Sequence, residues 1–220
     1  MLQSITNQRQ AGIVDNVVYC PPFTRCFSFD LFAPKSTLSI MRVLAIDPGS
    51  QTTGWGVIEG NGRHYRLVDF GFVRASSGLK FSTRLLKMCN GIEEVIARHS
   101  PDTCAIEDAF LATNVKVMLK LGQVRGVMLL VAERAALDIH EYSPRLIKQT
   151  VVGYGNAEKL QVQEMVRLLL SLKSIPEPHD AADALAVAIC HFHHAQFARK
   201  LLAADVELAA ALAPRRRATR

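Results

Sequence analysis

The sequence predicts a mixed α/β domain, a five-stranded sheet flanked by helices, and three observations carry that expectation. Between Met41 and Val73, three segments of strand character follow one another with only turn residues between them. Beyond Phe81 the apolar period changes, and helix-spaced segments alternate with short apolar runs. A meander followed by helix-linked strands implies a mixed sheet, antiparallel on one side, parallel on the other, and covered by helices. At 220 residues the chain suits one such domain with tails.

The elements can be taken in order. Arg42 to Ile46 is a short apolar run that ends in Asp47-Pro48-Gly49-Ser50, hence a strand and a tight turn. Gly54 to Glu59 and Tyr65 to Val73 read as two more strands joined by Gly60-Asn61-Gly62. From Phe81 to His99, apolar residues at Leu85, Leu86, Met88, Ile92, Val95 and Ile96 have helical spacing, and Pro101 follows. Thr103 to Ile106 is a buried strand that ends at Glu107. Asn114 to Leu137 is a long helix expected to be interrupted at Gly122 and Gly126. Ile139 to Tyr142 forms a further strand, and Pro144 suits the first turn of a helix. Ala157 to Leu172 is amphipathic, and after Pro176 and Pro178 a last helix begins near His179.

Composition narrows the function only slightly. The 26 Lys and Arg outnumber 20 Asp and Glu, a net of +6 that permits a polyanionic partner without requiring one. Five cysteines, Cys20, Cys26, Cys89, Cys104 and Cys190, show no Cys-x-x-Cys pair, and a reducing, cytoplasmic setting is expected. No stretch approaches the roughly 20 apolar residues that cross a bilayer, so no membrane partner is expected. Residues 1–40 carry a Pro21-Pro22 pair and no periodicity, and are read as a disordered extension or a mis-assigned start ahead of Met41. Residues 41–197 form the expected domain, and 198–220 are read as a helix end with a basic tail, Arg215 to Arg217 and Arg220. His191, His193 and His194 cluster in sequence, but helical spacing spreads them over different faces, which argues against a metal site.

The informative residues are acids that interrupt apolar segments. Asp47 closes the first strand, Glu107 closes the fourth, and Asp180 and Asp183 share one side of the last helix. Each has a bland explanation: an Asx turn at Asp47, a solvated strand end at Glu107, a helix cap at Asp180. Asp183 is harder to dismiss, because the apolar run Ala184 to Ile189 must bury that helix. A buried carboxylate is costly unless a cation compensates it, so one shared hard-cation site explains the four together. Oxygen donors without His or Cys favour Mg²⁺ or Mn²⁺ over zinc.

Five blocks in order then resemble the RuvC family of Holliday-junction resolvases. They are Ile46-Asp47-Pro48-Gly49-Ser50 with Gly54, Ala105-Ile106-Glu107, Lys120-Leu121-Gly122-Gln123, Lys148 to Gly153, and Asp180-Ala181-Ala182-Asp183-Ala184-Leu185-Ala186. The resemblance covers about 42 to 195 and implies an RNase H-like fold in which Asp47, Glu107, Asp180 and Asp183 are both catalytic and metal-binding. It implies two Mg²⁺ ions per site, with Mn²⁺ able to substitute, and phosphodiester hydrolysis in DNA recombination and repair. Phe110, Lys148 and Lys159 match positions expected to contact DNA. His179 stands beside the Asp pair, and its part in metal binding is left open. The implied partners are a four-way DNA junction, a second copy of the chain and a RuvA–RuvB branch-migration complex. The helix from Asn114 to Leu137 is the expected homodimer interface, its glycines four apart allowing close approach.

Three other readings share some of these features. Asp47-Pro48-Gly49 also resembles the first phosphate loop of actin-like ATPases, but a second Gly-rich loop and an adenosine motif are not found. A nuclease of the same fold acting on RNA, of the YqgF type, would carry similar acids. A catalytically silent junction-binding protein would not need all four.

Overall fold

The computed structural model describes residues 40–61, 64–108 and 114–212. Five strands and five helices follow in the order β1 (Met41–Asp47), β2 (Thr52–Gly60), β3 (Tyr65–Arg74), α1 (Phe81–His99), β4 (Thr103–Glu107), α2 (Val115–Arg134), β5 (Asp138–Tyr142), α3 (Pro144–Val152), α4 (Lys159–Leu169) and α5 (His179–Leu212). The strands lie side by side as β3-β2-β1-β4-β5. β1 to β3 pair antiparallel, while β4 and β5 continue the sheet parallel to β1. The expected mixed sheet is therefore present. The family-level expectations for Phe110 and for residues 1–39 and 213–220 lie outside the described residues.

Strand alternation divides the core into two. Val43 and Ala45 of β1, Ile58 of β2 and Ala105 of β4 face one side, where they meet Leu185 and Ile189 of α5, Val162 and Val166 of α4 and Ile147 of α3. Leu44 and Ile46 of β1, Trp55 and Val57 of β2 and Ile106 of β4 face the other, against Met88 and Ile92 of α1 and Val124 and Met128 of α2. A strand buried on both faces needs the unbroken apolar runs that β1 and β4 show.

Local chemistry fixes the helix ends. The Asn114 side chain accepts the Lys116 N–H at 2.9 Å and starts α2, and the Ser143 hydroxyl accepts from Leu146 ahead of Pro144. At the start of α4 the Gln161 side chain takes the Glu158 N–H at 2.8 Å. Two helices differ from expectation. α2 runs unbroken through Gly122 and Gly126 and stops at Arg134, because its inner residues Val124, Met128, Val131 and Ala132 are buried and hold the glycines in register. Ala136, with φ of 53°, turns the chain away before Leu137. α4 is shorter than the amphipathic pattern, starting after Glu158 and ending before Ser171, also at positive φ. No described helix is long and apolar enough to cross a membrane. Cys104 and Cys190 are buried in the core, and with Cys89 they are free thiols.

Candidate metal centre

The four acids arrive at one end of the sheet by separate routes. In β1 the residues at 43 and 45 face α5, and the same alternation turns Asp47 to that side. β4 repeats the pattern, with Ala105 facing α5 and Glu107 two residues on. Since Ile46 pairs with Ile106, Asp47 and Glu107 leave adjacent parallel strands side by side. Asp180 and Asp183 come from the first turn of α5, which crosses the sheet over β2.

Two glycines make that crossing possible. Gly54 pairs with Asp47 across the β1–β2 ladder, and a Cβ there would stand 2.0 Å from the Asp180 carbonyl oxygen. At Gly56 a Cβ would meet the Leu185 side chain at 2.5 Å. Both lie on the α5 side of β2, so the helix backbone rests where other residues would hold it off. Glycine within a strand marks such close approaches, a signal open to sequence reading that went unused there beyond Gly54 as a motif position.

The result is a compact carboxylate cluster. Oxygens of Asp47, Asp180 and Asp183 all lie within 4.8 Å of one another. Glu107 joins through a hydrogen bond with Asp47. Burial, then the charge of Glu107 and the hydrogen bond to it, then Asp183 and Asp180, hold Asp47 well above the ordinary 3.8. Burial also raises Glu107, against the pull of its hydrogen bond to Asp47 and with further push from Asp183. Asp183 is raised by burial despite its contact with Lys159. A cluster that resists ionisation on its own is one that a divalent cation relieves, and an all-oxygen donor set fits a hard ion.

The two lysines singled out from the sequence are at the same place. Lys148 of α3 and Lys159 of α4 line a cavity of about 160 Å³ with Glu107, Asp183, Ile147 and Val162. Lys159 Nζ lies 2.5 Å from Asp183 Oδ2. Burial would lower the Lys159 ammonium, but the hydrogen bond and charge of Asp183 outweigh it and the group is raised. His179 opens α5 and its charge lowers the neighbouring Asp183, which is an electrostatic contact rather than a place among the clustered oxygens. Two larger clefts, about 780 and 690 Å³, lie beside the α4–α5 connection and between β3 and α1, and neither holds any of the four acids.

Sequence reading missed the supports behind the cluster. Arg125 of α2 pairs with Asp108 at 3.1 Å and also with Glu141, joining the carboxylate ends of β4 and β5 to α2. Asp108 N–H donates to the Tyr142 carbonyl at 2.8 Å, which continues the ladder just past Glu107. The histidines at 191, 193 and 194 of α5 divide differently from the expectation. His191 and His194 share the side facing Tyr142, His191 Nδ1 standing 3.0 Å from the Tyr142 hydroxyl, while His193 turns toward Tyr65. They take part in ring contacts, and no metal cluster includes them among the described residues.

Comparison with known proteins bears on this arrangement. The family model described as crossover junction endodeoxyribonuclease RuvC matches residues 43–191. A crossover junction endodeoxyribonuclease RuvC of Chloroflexus aurantiacus is 51% identical over 155 residues, covering 70% of this chain and 94% of the relative. The RuvC of Ruminiclostridium cellulolyticum is 46% identical over 151 residues, covering 69% and 91%. Among solved structures, T. thermophilus RuvC in complex with a Holliday junction substrate superposes with a TM-score of 0.68 at 33% identity, covering 72% of this chain and 96% of that one. The yeast mitochondrial Holliday junction resolvase Ydc2 shares the fold, with a TM-score of 0.51 at 12% identity over 70% of this chain and 79% of that one.

Proposed function

The chain belongs to the RuvC family of crossover junction endodeoxyribonucleases, and on that premise we propose that Asp47, Glu107, Asp180 and Asp183 hold two Mg²⁺ ions with which it nicks four-way DNA junctions in symmetric pairs. The observation that carries the site is the convergence of three aspartates from β1 and α5 within 4.8 Å, with Glu107 hydrogen-bonded to one of them. The family settles the choice among readings in favour of a DNA-junction hydrolase over an ATPase. Mn²⁺, with the same preference for oxygen donors, substitutes for Mg²⁺.

Asp47 is hydrogen-bonded to Glu107 and lies within 4.8 Å of the α5 pair, so it would be the carboxylate best placed to help hold both ions. When bound, such ions neutralise charge on the phosphate oxygens and lower the pKa of a coordinated water. The chain's own residues do the rest. Lys148 and Lys159, on the rim of the cavity beside Glu107 and Asp183, bind the backbone of the strand to be cut. In the metal-free protein Lys159 is the counter-charge of Asp183, and it turns to the phosphate when a cation takes that role. Water adds to phosphorus as the bond to the 3′ oxygen breaks and that oxygen takes up a proton, leaving a 5′-phosphate and a 3′-hydroxyl. Phe110, three residues beyond Glu107, is assigned to the junction's bases.

The test is a labelled four-way junction incubated with and without Mg²⁺. Paired nicks at symmetric positions are expected from the native chain, and Asp47→Asn is expected to bind the junction yet lose at least about a thousandfold in cleavage, the scale on which a catalytic charge-stabilising group acts. Native-like cutting by Asp47→Asn would refute the assignment. Pairing of two cuts calls for two sites at fixed separation, hence a two-fold dimer. A branch-migration complex of the RuvA–RuvB kind is the partner that would present the junction.

A further inference from the structure

Arg84 is a buried cation without an anion. It sits in the first turns of α1, is 7% exposed, and its Nε and Nη2 are shut away from solvent with no hydrogen-bond partner. Among the described residues no acid pairs with it. The guanidinium lies over the Phe81 ring, Cζ 5.4 Å from the centroid, and Lys120 Nζ of α2 approaches the same ring at 5.9 Å. Two positive groups on one ring repel each other, and a buried charge left uncompensated is strongly unfavourable. The helix ends add to the imbalance. Lys80, the N-cap of α1, makes no side-chain cap, and the first turns of α1 and α2 both lack an acidic residue. The unbonded first-turn amides and the positive pole of α1 therefore face the same corner, toward which helical side chains tilt.

This corner is at the carboxylate end of the sheet. Ala75 N–H donates to the Gln51 carbonyl at 2.9 Å, tying the β3–α1 connection to the turn that follows Asp47. It belongs, however, to the opposite face. Phe81 packs with the α1–α2 core, whereas Ile147 and Val162, which border Lys148 and Lys159, pack with the α5 core.

We infer that Arg84, Phe81 and Lys120 form a second phosphate-binding corner, which holds a backbone phosphodiester of the junction DNA on the side of the sheet away from Lys148 and Lys159. The inference rests on the junction-binding reading above. A phosphodiester supplies the negative charge that this guanidinium lacks, with Nη1 not among its enclosed nitrogens, and a helix N-terminus favours the same negative group. DNA crossing the end of the sheet is then gripped on both faces, with the carboxylate cluster between.

The test measures binding of a labelled four-way junction by fluorescence anisotropy without divalent ions, from 50 to 200 mM salt, for the native chain, Arg84→Met and Lys120→Gln. Each variant is expected to weaken binding roughly tenfold and to reduce the slope of log affinity against log salt by about 0.9, one phosphate contact. Without DNA, Arg84→Met is expected to melt at or above the native midpoint, because an apolar side chain replaces an uncompensated charge; a residue that merely shapes the fold would melt lower. Native affinity and slope in both variants overturn the inference, as does a slope change confined to an Arg84→Met protein with a lowered midpoint. Should Arg84→Met not fold, Lys120→Gln decides alone: a native slope overturns the inference and a reduced one supports it. Failure of the native chain to bind the junction would instead overturn the function reading.

Discussion

Asp47 is placed where an ionised carboxylate is least at ease. Strand alternation turns it inward, burial raises its pKa, and Glu107, Asp183 and Asp180 raise it further. A carboxyl held above its unfolded value lends stability fully below the ordinary 3.8, and loses that contribution as pH climbs through the folded value. Glu107 and Asp183, also raised, act in the same direction. The metal-free protein should therefore lose stability as it passes from acid to neutral pH. Asp47→Asn removes one of these raised carboxyls, the one that neighbours the other three. In chelator at pH 7 it is expected to melt above the native chain, because the amide needs no charge held in a buried site among other carboxylates. The two curves should meet below about pH 4, where Asp47 is protonated and as uncharged as Asn. Thermal melts across pH check this, and an Asp47→Asn protein less stable than native at pH 7 would contradict it. The same residue shows what sequence can reveal. Asp47 and Glu107 stood out because each ends an apolar strand, and Asp183 because an apolar helix follows it. The pairing of Lys159 with Asp183 was not legible, since it depends on where α4 begins relative to α5. Nor was the unpaired guanidinium of Arg84, because an arginine in an amphipathic helix reads as solvated until its neighbours are known.

At the scale of elements, the site depends on how closely α5 can lie on β2. The helix brings its own carbonyl, at Asp180, to a point that a side chain on residue 54 would occupy. Gly54→Ala would put its Cβ 2.0 Å from that oxygen and 2.4 Å from the carbonyl carbon, both backbone atoms that can yield only if the helix start moves. Displacing the first turn of α5 separates Asp180 and Asp183 from Asp47. Gly54→Ala is therefore expected to lose cleavage by about a hundredfold or more, the cost of misplacing catalytic groups by about 1 Å. Gly56→Ala, whose Cβ meets the far end of Leu185, should be milder because that side chain can rotate. Steady-state cleavage of a junction by the two variants compares them directly, and equal losses would count against the crossing as the cause. Strands and helices were largely readable in advance, because period-two and helical spacing report which faces are buried. The errors fell at α2 and α4, where the ends are set by turn conformations at Ala136 and Ser171 that leave little trace in sequence.

At the scale of the whole molecule, and among the described residues, α2 carries an apolar side that the fold leaves uncovered. On the outer side of α2, Val115, Leu119 and Leu130 are 64%, 62% and 58% exposed. Gly122 and Gly126 stand between them at the same helical side, with nothing within 4 Å of where a Cβ would be. An apolar strip of this kind marks an interface, and the two glycines let a second helix backbone approach. Because α2 is also bound through Arg125 to Asp108, next to Glu107, pairing α2 against its copy would fix two carboxylate clusters in one rigid assembly. Leu119→Glu places a charge in the middle of that strip without touching the buried side of α2, so the monomer should fold normally. Sedimentation at micromolar concentration is expected to give a dimer for the native chain and a monomer for the variant. On a junction, the variant should then nick one strand at a time, so that singly cut intermediates accumulate where the native chain gives paired products. A native chain that sediments as a monomer, or a variant that remains dimeric with coupled cuts, would place the interface elsewhere and leave the exposed strip of α2 for another partner.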